Sequence, residues 1–137
     1  MTDAEVTALG RRAVACKAWR WMPGMLHAGG IGERVLAVCD RYLTVAWPHV
    51  DTIATSTLDG AFPDLRDPAT VGCLLALVRE AWHEPRFCVG FRPRGRADPT
   101  PDLWYVEADC GGSVIPATLL FHRTEAEALI AALEAAP

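Results

Sequence analysis

The sequence predicts an α+β fold: a mainly antiparallel sheet with a central buried helix and two terminal helices, arranged as a layered sandwich. Three observations carry that prediction. Asp67-Pro68 writes a helix start ahead of a long apolar stripe. Short β-rich runs follow one another across tight turns, which implies antiparallel neighbours. Capping-box spacings stand near both ends of the chain, at Thr2 with Glu5 and at Thr124 with Glu127.

The first capping box opens a helix near Asp3, with Val6, Leu9 and Ala13 as its apolar stripe and Gly10 as an interruption. Trp19-Arg20-Trp21-Met22-Pro23-Gly24-Met25 follows. Its Pro23-Gly24 pair suits a type II turn, because proline presets one torsion and glycine accepts the positive one. Gly30-Ile31-Gly32 has the look of a dinucleotide loop, but it lacks the strand before and the helix after that such a loop requires. Arg34 to Asp40 and Tyr42 to Trp47 read as a hairpin, and Val50 to Leu58 as a weaker third strand.

Val71, Leu74, Leu75, Val78 and Trp82 then form one helical stripe, while Gly72, Cys73, Ala76 and Leu77 occupy the other side. A helix this apolar around its girth predicts enclosure on two sides, and from that we expect a homo-oligomer. Arg86 to Arg92 alternates as a half-buried strand, with Phe87, Val89 and Phe91 turned to the core. After a polar turn, Leu103 to Ala108 and Ser113 to Phe121 read as further strands; Pro116 confines the last to an edge or a bulge. The second capping box opens a final helix with Leu129, Ile130 and Leu133 inside.

The 137 residues fit a single domain, and 51% apolar with 22% charged residues describes a globular chain. A net charge of -4 argues against long nucleic acid as a partner, since that requires a basic face. The five cysteines, at 16, 39, 73, 88 and 110, form no Cys-x-x-Cys pair and read as reduced thiols. No leader-like start and no membrane-length apolar run is present, so the expected location is a cytoplasm, with no membrane partner.

Among candidate chemical groups, Arg86, Arg92, Arg94 and Arg96 interleave with Phe87 and Phe91. Guanidinium groups pair with phosphate while rings stack on bases, so this pattern suits a nucleotide; a solvated hairpin tip balanced by Asp98, Asp102 and Glu107 is the competing reading. Trp19, Arg20 and Trp21 form either a binding rim or an apolar plug. In the nucleotide reading, Arg20, Arg92 and Arg94 hold phosphate, and Trp21 or Trp104 stacks the base. The four histidines lack the spacing of a metal site, no cofactor is implied, and no catalytic pattern emerges. Cys110 or His122 would be the reactive group were the protein an enzyme acting on a nucleotide.

Three blocks carry a resemblance: Trp19 to Met25, Asp67 to Trp82, and Thr124 to Ala136, together about a quarter of the chain. Through them the sequence resembles a group of small proteins from tailed-phage and prophage genomes. The first two blocks are the specific ones. The group supplies no catalytic residues to transfer. The resemblance implies a counter-defence protein in the host cell cytoplasm that acts by binding, either sequestering a cyclic-nucleotide immune signal or blocking a host defence protein such as a CRISPR effector. A phage structural or interaction module is the further alternative.

Overall fold

The structure, a computed structural model, describes residues 1–28, 32–39, 42–47, 50–93, 103–108 and 121–137. Its elements run α1 (Asp3–Ala15), β1 (Arg34–Cys39), β2 (Tyr42–Trp47), β3 (Val50–Thr57), α2 (Pro68–Ala81), β4 (Phe87–Arg92), β5 (Leu103–Ala108) and α3 (Glu125–Glu134). The α+β class holds, and among the described residues every strand pairing is antiparallel. Among the described residues, however, the strands do not join one sheet: they form a three-stranded sheet ordered β1-β2-β3 and a separate β4-β5 ribbon. Tight turns determine pairing between strands that follow one another; they carry no information across the α2 insertion between β3 and β4. The run expected from Ser113 lies outside the described residues, Phe121 excepted.

The chain divides into two compact units. Met1–Ala15 and Trp19–Cys73 make the first; Cys16–Ala18 and Leu74–Pro137 make the second. In the first unit α1 opens on its capping box, the Thr2 N–H donating to the Glu5 carboxylate at 2.6 Å and the Glu5 N–H to the Thr2 hydroxyl at 3.3 Å. Val6, Leu9 and Ala13 are buried, as their spacing requires. Gly10 belongs to that stripe rather than interrupting it, since a Cβ there would meet the Phe62 ring at 2.9 Å and the Pro63 carbonyl at 3.0 Å.

The Met22–Met25 turn closes as expected, with the Met25 N–H donating to the Met22 carbonyl at 3.2 Å and Gly24 at φ 96°. From there the chain runs antiparallel to the start of β1: the Gly24 N–H donates to Val35 O and the Val35 N–H to Met25 O. Val35, Leu43 and Val45 pack inward with Met25 and Leu65.

The start of α2 is the most connected polar point of this unit. The Asp67 Oδ2 accepts both the N–H and the hydroxyl of Thr70, each at 2.8 Å, which caps the helix. Arg34 grips the same carboxylate with two N–H groups, at 3.0 and 2.8 Å, and also donates to Gly24 O. The Thr70 hydroxyl, fully buried, accepts the Leu26 N–H at 2.7 Å. One carboxylate thus ties the turn, β1 and α2 together. The forked Arg34 contact, with the Thr70 donors behind it, outweighs partial burial and holds the Asp67 carboxyl at about 2.

In the second unit α3 packs on the β4-β5 ribbon, and Leu129, Ile130 and Leu133 face the core with Phe87 and Val106. The Thr124 capping box forms in full. The Trp82 indole N–H donates to Ala132 O at 2.8 Å, and its ring meets Phe87 edge-on. Arg79 donates to Phe87 O at 2.7 Å. Through these contacts the last turns of α2 hold β4 and α3.

The expectation that α2 has no wet face fails. Gly72 is exposed with nothing within 4 Å of a would-be Cβ, and Ala69 and Glu80 are exposed along the same side. Glycine and alanine contribute so little apolar surface that a stripe of them can face water at small cost. Leu77, the one large side chain assigned to that flank, is 1% exposed within the single chain. The girth of α2 therefore supplies no reason for a second subunit.

Candidate functional site

The β4-β5 register builds the site. Phe91 stands opposite Trp104, Gly90 opposite Tyr105 and Arg92 opposite Leu103. Directly opposed side chains in an antiparallel pair share a face. One face therefore carries Phe87, Val89, Val106, Phe91 and Trp104; the other carries Cys88, Glu107, Gly90, Tyr105, Arg92 and Leu103. His122 extends the ladder beyond β5, exchanging 2.8 Å hydrogen bonds with Trp104 in both directions. That pairing brings Phe121 beside Tyr105.

The first face changes character along its length. Phe87 and Val106 are buried at 2% and 1%, but Phe91 is 46% exposed and lies 4.8 Å from Trp104, ring centre to ring centre. Alternation alone placed all three of Phe87, Val89 and Phe91 in the core. It reads which face a side chain is on, not where the covering layer ends.

On the second face the Tyr105 ring lies across Gly90. A Cβ at Gly90 would collide with that ring, the hydroxyl included. Phe121, also 46% exposed, meets Tyr105 edge-on at 5.8 Å and 77°. The Arg92 guanidinium sits 5.8 Å from the centre of the Phe121 ring. That is within cation–π reach, and it leaves the N–H donors of Arg92 unspent on any carboxylate among the described residues. The other arginines nearby in sequence behave differently. Arg86 holds Glu84 with two contacts of 2.9 and 3.0 Å, which keeps the Glu84 carboxyl at about 2. Arg66 is forked between Asp64 and Asp3.

Of the five residues singled out in the sequence, two lie on the ribbon and two in the first unit. Arg92 and Trp104 are both on the ribbon, on opposite faces of it. Arg94 lies outside the described residues, as do Arg96 and Cys110. Arg20 and Trp21 belong to the first unit. Arg20 is exposed, but Trp21 is only 7% exposed and its ring packs edge-on against Trp19 at 5.8 Å, with His27 beyond it. Trp21 is thus a core ring, the plug rather than the rim. Two apart in an extended backbone, Trp19 and Trp21 turn inward and leave Arg20 outward, as the spacing demands.

Tyr105 and Phe121 were not singled out in the sequence. The available signal was Gly90: a glycine inside a clean strand marks a place where something approaches the backbone closely.

Elsewhere the polar groups point to architecture. The His27 Nδ1 is buried 3.8 Å from the Glu33 carboxylate, too far for a hydrogen bond. Burial, with the nearby Asp67 charge, pushes the Cys73 thiol up and makes it a poor nucleophile. Among the described residues no three His, Cys, Asp or Glu side chains gather as a metal site, and no helix is long and apolar enough to cross a membrane. No protein family, curated protein or solved structure matches this chain.

Proposed function

We propose that the protein is a non-enzymatic binding protein that captures a small nucleotide, a cyclic-nucleotide immune signal of a bacterial host, at the outer end of the β4-β5 ribbon. The observation that carries this reading is Arg92: a guanidinium resting on an exposed aromatic ring, with no carboxylate partner among the described residues. Such a group can grip a phosphate with paired N–H donors while the rings beside it stack a base. In a chain of net charge -4, one confined positive point suits a small anion better than a duplex. The counter-defence setting and the host cytoplasm rest on the resemblance to phage and prophage proteins.

Calorimetry with cyclic di- and trinucleotides and cyclic ADP-ribose isomers tests the proposal. Binding heat from at least one, reduced at least tenfold in affinity by Arg92→Ala, supports it. Silence from every one of them removes it.

A protein-binding inhibitor of a host defence system is the second reading. It is favoured by Leu36 and Val38, 46% and 43% exposed on β1, an outer strand of its sheet among the described residues. A stoichiometric protein partner from a bacterial lysate, with no small molecule retained, would favour it over nucleotide capture.

A further inference from the structure

The ribbon end offers ring surfaces on both faces, and the two are not equivalent. Trp104 and Phe91 are tilted against each other at 47° with their centres 4.8 Å apart, so each spends surface on the other. Tyr105 is different. The hydroxyl end of its ring occupies the space that a side chain at Gly90 would fill, so the ring is laid close on β4. Tyr105 remains partly exposed. Phe121 stands nearly perpendicular to it, at 77°, and Arg92 leans on Phe121. Floor, wall and cation all belong to the face that carries Arg92.

Resting on the nucleotide-binding reading above, we infer that the ligand's planar ring seats on Tyr105, in the corner walled by Phe121, with its phosphate on Arg92, and that Gly90 is the positioning residue that lays this floor. The ligand class is one nucleobase carrying a phosphate across a single sugar, the repeating unit of a cyclic nucleotide. A lone phosphate would leave the corner empty. A lone nucleoside would leave the arginine unpaired. The Phe91-Trp104 pair lies outside the seat.

The test uses the full chain titrated with AMP, adenosine and inorganic phosphate. AMP binds more tightly than either fragment. Tyr105→Ala weakens AMP by about tenfold or more, the scale of one base-stacking contact, while Tyr105→Phe, which keeps the ring, stays within about twofold. Gly90→Ala, whose Cβ must lift the ring, weakens AMP like Tyr105→Ala, with the fold verified by circular dichroism. The Gly90→Ala/Tyr105→Ala double variant is no weaker than Tyr105→Ala alone, because Gly90 acts only through that ring; a merely structural glycine would give additive losses. AMP affinity that survives Tyr105→Ala, or that is lost on Trp104→Leu instead, overturns this seat and leaves nucleotide capture standing. Absence of binding by AMP and by every cyclic nucleotide removes nucleotide capture itself, and the seat with it.

Discussion

The start of α2 and the outer end of the β4-β5 ribbon use the same kind of side chain for opposite ends. At Asp67 the carboxylate receives four donated contacts, from Arg34 and Thr70, and the buried Thr70 hydroxyl receives the Leu26 N–H in turn. At the ribbon end Arg92 rests on a ring and has no carboxylate partner among the described residues. A polar group that has been desolvated stabilises a fold only when its partners are complete. A charged group left with water can give up that water to a ligand. Satisfaction marks the first region as scaffold, and the proposed site lies where Arg92 has no carboxylate partner among the described residues.

The largest effect should come from breaking the scaffold side of that contrast. Asp67→Ala removes the helix cap, unpairs Arg34 and takes the acceptor from the buried Thr70 hydroxyl. Cap loss costs about 1 kcal/mol and a buried unsatisfied donor about 1–3 kcal/mol, so urea unfolding should show a loss of about 2–4 kcal/mol. A change below about 0.5 kcal/mol would mean the network is incidental.

Acid attacks the same carboxylate. Its folded-state pKa of about 2 lies below the ordinary aspartate value of 3.8, chiefly because Arg34 hydrogen-bonds the ionised form. A depressed pKa stabilises the fold fully above the unfolded-state value, and that contribution is lost as pH falls through the folded one. The stability advantage of wild type over Asp67→Asn should therefore be constant above about pH 5 and shrink between pH 3.8 and about 2. An advantage that grew on acidification would contradict the Arg34 assignment.

A step smaller is Thr70→Val, which keeps the volume but leaves the Leu26 N–H without its acceptor. A loss of about 1–2 kcal/mol in thermal or urea unfolding is expected, with the Asp67 to Arg34 fork intact. Parity with wild type would show that Leu26 finds another acceptor.

How far the sequence reveals these two regions depends on the range of the forces that build them. Asp67 as a cap, Pro68 behind it, the two capping boxes and the Pro23-Gly24 turn are all written within four residues, and all stand in the structure. Arg34 is 33 residues from Asp67, and no local pattern announces their fork. The ribbon shows the same limit. Alternation correctly assigns Phe91 and Arg92 to opposite faces, but pairing with Trp104 and Leu103 depends on a register that no local pattern sets. The separation of the strands into two sheets lies beyond periodicity altogether. Trp21 misleads for a related reason: a tryptophan beside an arginine reads alike in a rim and in a plug until the neighbours of its ring are known.

The smallest expected effect is also the one on which the contrast turns. Arg92→Ala removes a guanidinium that, among the described residues, leans on an exposed ring, a contact worth about 0.5–1 kcal/mol at such sites. Part of that is returned as side-chain entropy, because a long chain held against a ring loses rotamers that alanine never had. The net change in unfolding free energy should stay within about 0.5 kcal/mol, well short of the Asp67→Ala loss. Were Arg92→Ala instead to cost more than about 1 kcal/mol, the arginine would be fastening Phe121 to the ribbon. It would then be scaffold like Arg34, and a ligand's phosphate would have to displace it from structural work before being held. Near-neutral stability together with lost nucleotide affinity is the combination that separates the two roles, since a group that holds the fold cannot be removed from it without unfolding cost.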